Sequence, residues 1–142
     1  MAMTMHLNVV SAEEELFSGT VEEVFAPGTM GDLGIIPRHA QLVTTLKPGE
    51  LRYVADGHMA ALFVSGGIME VQPHVVTVLA DTAIRADDLD EKAATEAKER
   101  AEAALEGKDP EDLDYEALQA ELEAAKAQIQ MIHNIGKTLG RH

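Results

Sequence analysis

Six histidines and a cluster of aspartates are the residues of this 142-residue chain with the most chemical reach. The histidines stand at positions 6, 39, 58, 74, 133 and 142. None is spaced as H-x-H or H-x-x-x-H, the intervals that bring two imidazoles to one metal on a strand or a helix face. They read as surface or turn histidines. His39 differs in context, because it closes Gly31-Asp32-Leu33-Gly34-Ile35-Ile36-Pro37-Arg38-His39, whose two glycines and proline compose a shaped loop rather than a strand. A packing or partner role suits it better than catalysis. Asp87, Asp88 and Asp90 lack the glycine turn and closing glutamate of a calcium loop, and acids before a helix complement its dipole. The chain has no Walker lysine loop, no G-x-S-x-G elbow, no dinucleotide fingerprint and no cysteine, so no nucleophile is nominated with its base. The expectation is no catalytic residue, no metal and no cofactor.

The elements that must position these residues fall into two grammars. Up to Arg85 the chain is written in short β-branched runs. Leu62 to Asp81 is the clearest stretch, three runs separated by Ser65-Gly66-Gly67 and Gln72-Pro73-His74. Met3, Met5, Leu7 and Val9 alternate with Thr4, His6, Asn8 and Val10, the period of a strand with one face inward. Phe17-Ser18-Gly19 reads as a turn, Thr20 to Ala26 as one strand with Val21 and Phe25 on a common face, and Asp56-Gly57 as a type I′ hairpin turn. Turn signals recur every 8 to 12 residues with no helical pattern between them, which predicts an all-antiparallel β-sandwich or flattened barrel of short strands.

After Arg85 the pattern turns helical. Asp88 with Glu91 three residues on offers a capping box, and Ala93, Ala97, Ala101 and Ala104 form a thin small-residue stripe beside Leu105. Gly107 suits a C′ position, and Asp109-Pro110 suits the start of a second helix. Tyr115, Leu118, Leu122, Ala125, Ile129, Ile132 and Leu139 then follow a three-and-four spacing, one continuous apolar seam that predicts an antiparallel αα-hairpin with the first helix. Alanines contribute little burial at roughly 25 cal/mol per Å², so the hairpin is expected to be marginal and able to change partners. The domains expected are residues 1–86, a sandwich, and 87–142, a helical hairpin.

Bulk composition limits the partners. Twenty-five acidic and eleven basic residues give a formal net charge of −14, a field that repels phosphate backbones and anionic lipid. Arg38, Lys47, Arg52 and Arg85 are the only cations before Ala86, so no basic arm is hidden there. No window approaches the ~18 apolar residues of a membrane span, and the first residues lack a basic flank before an apolar run; a soluble chain without direct membrane insertion is expected.

Four stretches carry a resemblance. Gly31 to Ala40 (GDLGIIPRHA), Ser65 to Val71 (SGGIMEV), Val76 to Ala83 (VTVLADTA) and Asp88 to Glu91 (DLDE) occur in order, after an opening Met3 to Phe17 of the same kind. With them the chain resembles, over essentially its whole length, the epsilon subunit of bacterial proton-translocating ATP synthase. The resemblance implies a ten-stranded sandwich followed by a two-helix hairpin. It also implies a non-catalytic place in the rotor stalk with the gamma subunit and the membrane ring of c subunits, peripheral to the inner membrane on its cytoplasmic side. There the subunit would couple rotation to proton flow, and the hairpin could extend into the alpha/beta head to suppress ATP hydrolysis. The ring-contacting loop would be Gly28 to His39, with Gly31, Asp32, Gly34, Pro37 and His39 as interface residues; Met30 and Arg38 stand where close relatives commonly carry an acid and a glycine. Lys126, Lys137 and Arg141 would meet acidic surface of the head. Some members bind ATP through a Leu-Asp-x-x-Arg-Ala motif, matched here by Leu89-Asp90-Glu91-Lys92-Ala93-Ala94 with alanine in place of the arginine. Losing that charge-assisted contact removes about 1.5–3 kcal/mol, so no nucleotide site is assigned. Two other readings are distinguishable by experiment: a free-standing acidic module with an ATP-responsive hairpin, and a small hydrolase using His39 and Asp32.

Overall fold

The computed structural model describes residues 3–138, with side chains through Ile135. The chain divides at Asp87/Asp88 into two compact units. The first is built of ten strands: β1 (Met5–Val10), β2 (Glu15–Val21), β3 (Glu23–Gly28), β4 (Gly31–Ile35), β5 (Leu42–Leu46), β6 (Gly49–Ala55), β7 (His58–Val64), β8 (Gly67–Val71), β9 (Val75–Ala80) and β10 (Ala83–Arg85). They hydrogen-bond in the order β10-β7-β6-β3-β5-β8-β9-β1-β2, with β4 attached to β3. Alternation sets the core: Met5, Leu7 and Val9 of β1, Met69 and Val71 of β8, and Val76 and Val78 of β9 are all buried on the inner face.

One pairing departs from the all-antiparallel expectation. β1 runs parallel to β9, with His6 opposite Val75 and Val10 opposite Leu79. A parallel pair needs a long connection between its members, and here seven strands intervene, so no turn signal in the sequence could report it.

Three local expectations are also corrected. Phe17-Ser18-Gly19 lies inside β2, where Val9, Asn8 and Leu7 face those residues across the ladder, so the glycine serves pairing and not a turn. Thr20 to Ala26 is broken by a bend at Glu22, after which Val24 and Ala26, rather than Phe25, point into the core. The bend is fixed by Glu22 itself: its N–H donates to the Val54 carbonyl at 2.7 Å, and its Oε1 accepts from the Gly57 N–H at 2.8 Å. Finally, Gly31–Ile35 is strand and not loop, because β3 and β4 pair along their full length from Val24↔Ile35 to Gly28↔Gly31.

Side chains link β2, one end of the strand order, to β6 and to β10 at the other end. Phe17 and Tyr53 stack at 4.3 Å between ring centroids, and Arg85 Nη2 donates to the Leu16 carbonyl at 3.0 Å. The guanidinium thereby meets one backbone carbonyl of β2.

The second unit holds α1 (Glu91–Leu105) and α2 (Tyr115–Thr138). Asp90, not Asp88, is the N-cap of α1: its extended backbone lets Oδ1 accept from Lys92 N at 3.0 Å and Ala93 N at 3.3 Å, whereas Asp88 closes a short 3₁₀ turn, Ala86–Asp88. α1 ends at Glu106, and Gly107 takes the left-handed conformation, φ 78°. α2 begins later than Asp109-Pro110 signals. Asp109 Oδ1 accepts from Glu111 N while Asp112 Oδ2 accepts from Asp109 N, two side-chain bonds that hold this segment as a turn until Tyr115.

The helices are antiparallel, with His133 Nε2 of α2 at 2.8 Å from Glu91 Oε2 at the start of α1. Ala94, Ala101, Leu122 and Ala125 are buried, as is Met131 off the predicted seam, while Ala93 and Ala104 are exposed. The alanine stripe therefore does not close: Ala93, Ala97, Ala101 and Ala104 line, with Leu118 and Ala125, an open groove of about 840 Å³ along the helix pair. Leu139, the last member of the seam, lies outside the described residues.

Candidate functional site

The residues expected to meet partners sit on both units. On the first, Gly31, Asp32 and Gly34 belong to β4, whose register sets Gly31 opposite Gly28, Asp32 opposite Pro27 and Gly34 opposite Phe25. All three are exposed. At the tip of this hairpin Met30 is 95 % exposed. Pro37 and His39 follow in the irregular segment after β4 and are half-buried. That segment is pinned by two backbone hydrogen bonds, Arg38 N to the Pro73 carbonyl at 2.8 Å and His39 N to the Ile36 carbonyl at 3.2 Å. The fold thus gathers Gly31, Asp32, Gly34, Pro37 and His39 onto one hairpin and the loop that leaves it.

His39 and Asp32 do not form an acid–base pair. Nδ1 of His39 lies 2.7 Å from the carbonyl of Ala40, so the ring is held by its own backbone, and no hydrogen bond joins it to the Asp32 carboxylate. The chemistry-like contact that the sequence did not reveal is elsewhere. His6 Nε2 lies 3.0 Å from Ser18 Oγ and 3.0 Å from Asn8 Oδ1, and Ser18 Oγ donates to Asn8 Oδ1 at 2.8 Å. Both contacts fall on one ring nitrogen, so no third group orients the imidazole as a relay requires. The triangle is a polar cross-strand cluster on exposed positions of β1 and β2. Alternation in β1 places His6 and Asn8 on one outward face; reading Ser18 as a turn residue hid their partner.

Electrostatics on the strand unit gather around β6. Glu50 Oε1 lies 3.6 Å from Arg52 Nε, and the Arg52 guanidinium sits 4.7 Å over the Phe25 ring. Burial pushes the Glu50 carboxyl above its ordinary range, and Arg52 offsets this only in part. Burial likewise raises the Tyr53 phenol, with Arg85 opposing.

On the second unit Lys126 is exposed and lies 3.9 Å from Glu123, a weak pair one turn apart. The side chain of Lys137 and the whole of Arg141 lie outside the described residues. The stretch Leu89, Asp90, Ala93 and Ala94 does not assemble a phosphate cradle. The Asp90 carboxylate is spent on capping α1, Ala94 is buried, and Ala93 offers only a methyl group to the groove. Among the described residues, no group of three or more His, Asp or Glu converges as a metal site, and no helix is long and apolar enough to cross a membrane.

A strand-built body followed by a pair of antiparallel helices defines a two-part class of protein, a β-sandwich joined to an αα-hairpin. Residues 4–86 match the family model described as the ATP synthase delta/epsilon chain beta-sandwich domain, and residues 87–133 match the delta/epsilon chain long alpha-helix domain. The ATP synthase epsilon chain of Nitrosococcus oceani is 58% identical over 141 residues, 99% of this chain and 100% of that one. The epsilon chain of Thioalkalivibrio sulfidiphilus is 55% identical over 137 residues, 95% of this chain and 96% of that one. A chain from the Euglena gracilis mitochondrial ATP synthase OSCP/F1/c-ring structure superposes with a TM-score of 0.80 at 21% identity, covering 92% of this chain and 82% of its own, a likeness of fold. This chain belongs to the ATP synthase delta/epsilon chain family.

Proposed function

We propose that the chain is a non-catalytic rotor-stalk subunit of a proton-translocating ATP synthase. It sits with the gamma subunit on the c-ring, peripheral to the inner membrane on the cytoplasmic side, and its helices restrain ATP hydrolysis by reaching into the alpha/beta head. The observation that carries this reading is the pair of family matches, one falling on each structural unit and together spanning residues 4–133. Residues 1–86 take the role of rigid contact body and residues 87–142 the role of brake. Physical chemistry supports the division. A torque-bearing part needs stiffness, and the ten hydrogen-bonded strands enclose fully buried Leu7, Val9, Ile35, Leu51 and Met69. A brake needs an element that can exchange partners, and a helix pair whose shared face is mostly alanine around an open groove is held loosely. Gly31, Asp32, Gly34, Pro37 and His39 form the ring-facing surface in this reading; Lys126, Lys137 and Arg141 are the cations offered to the head.

Co-expression with the cognate gamma subunit tests it. One copy of the chain per gamma should survive purification, and vesicles whose synthase lacks the chain should hydrolyse ATP without pumping protons. Failure to associate with gamma, or full coupling without the chain, would overturn the reading.

A further inference from the structure

Asp56-Gly57 is the one Asp-Gly dipeptide of the chain, and no Asn-Gly accompanies it. An aspartate followed by glycine carries its own reactive pair, because the glycine amide nitrogen can attack the aspartate side-chain carbon Cγ with no β-carbon to obstruct the approach. The N–Cγ bond forms, the amide proton and the carboxyl hydroxyl leave together as water, and a five-membered succinimide results. Water then opens the ring at either carbonyl. Opening at the α-carbonyl leaves the chain running through Cγ, an isoaspartate of unchanged mass with one extra methylene in the backbone.

The fold holds this pair apart. Ala55 pairs with His58, so Asp56 and Gly57 are the two central residues of the β6–β7 hairpin, and both have positive φ, 52° and 77°, as a type I′ turn requires. Both are exposed, so burial does not shield them. What fixes the peptide between them is Glu22, 35 positions away in sequence, whose Oε1 accepts from the Gly57 N–H at 2.8 Å. Glu22 is anchored in turn, its own N–H donating to the Val54 carbonyl at 2.7 Å. Ring closure needs a rotation about the Asp56 Cα–C bond, away from the type I′ value, that brings the Gly57 nitrogen over Cγ. The same rotation carries the Gly57 N–H out of reach of Glu22. A charge-assisted hydrogen bond must therefore break before the nitrogen can react.

We propose that Asp56 is a site of spontaneous isomerisation and that Glu22 guards it, its carboxylate holding the Gly57 amide out of reaction. The modification has a structural consequence. β6 and β7 pair from Gly49↔Val64 to Ala55↔His58, and an extra backbone atom in the turn displaces that register first at Ala55↔His58.

The test ages the full chain and its Glu22→Ala, Glu22→Gln and Asp56→Glu variants in native buffer near neutral pH and, in parallel, in denaturant, with isoaspartate located by peptide mapping. In native buffer Glu22→Ala should accumulate isoaspartate at position 56 about threefold to tenfold faster than wild type, the factor by which losing one such hydrogen bond raises the open population. Glu22→Gln keeps an acceptor without the charge and should fall between. In denaturant, where no turn remains, wild type and both Glu22 variants should react alike. Asp56→Glu, which would have to close a six-membered ring, should stay free of product there. Asp32 and Asp81 report general unfolding and should not change in the native arms; a rise at them in Glu22→Ala passes the comparison to Glu22→Gln. Equal native rates for wild type and both Glu22 variants would overturn the proposal. So would slower reaction without the carboxylate, which would make Glu22 a base for the attack and not a guard against it.

Discussion

At Gly67 the backbone sits at φ 141°, and a β-carbon there would run into the carbonyl oxygen of Leu79. Gly67→Ala should therefore cost about 3 kcal/mol or more in chemical denaturation of the full chain; a loss below ~1 kcal/mol would mean that the β8–β9 pairing is softer than its geometry. Glu50 provides a pH signature. Its carboxyl binds a proton more tightly in the folded than in the unfolded chain, so its contribution to stability is lost as pH rises through the ordinary carboxylate range toward the raised folded value. Glu50→Gln should raise the melting temperature at pH 7 and lose that advantage near pH 3. A gain larger at pH 3 would reverse the sign of the argument. Much of the residue scale was legible in the sequence: alternation placed Met5, Leu7 and Val9 inward, and Asp56-Gly57 turned as its dipeptide dictates. What a residue faces across a strand was not legible. Ser18 meets His6 and Asn8 only because β2 pairs with β1 in one register, and the Arg38 N–H finds its acceptor on Pro73, distant in sequence.

Helix ends and strand breaks are decided by competition among nearby polar groups, which is why elements were read more reliably than their limits. Asp88, Asp90, Asp109 and Asp112 are all chemically able to cap a helix; backbone geometry selects Asp90 for α1 and spends Asp109 and Asp112 on a turn. Asp90→Ala should accordingly lower the stability of the helical unit by about 1 kcal/mol, and Asp88→Ala by less than ~0.5, as read by helicity during thermal unfolding. The reverse order would restore Asp88 as the cap. The thin packing of α1 on α2 has a measurable counterpart. Leu122→Ala should cost about 2 kcal/mol, near the low end for a buried leucine because the neighbouring groove already admits solvent, whereas Met69→Ala in the strand core should cost about 3. Equal costs would mean that the hairpin is as tightly built as the sandwich. The hairpin itself was foreseeable from spacing, but the open groove was not. Spacing tells which residues share a face, and not how near the opposite face approaches.

For the whole molecule, the charge and the absence of a paired nucleophile narrowed function to partner binding, and the order of four short motifs pointed to the family that the full-length matches then showed. The parallel β1–β9 pairing, which joins the two ends of the strand unit, was beyond reach of any local signal. Two units of unequal internal packing should also exchange unequally. Amides of β1, β8 and β9 should be protected close to the global limit, while those of α1 exchange at least about a hundredfold faster. Uniform protection would argue against a hairpin free to change partners. The most direct test is ATP hydrolysis by the assembled complex carrying either the full chain or one ending at Ala86. A movable brake carried on a rigid contact body predicts several-fold faster hydrolysis with the shortened chain while the complex stays assembled. Identical rates from the two intact complexes would contradict it.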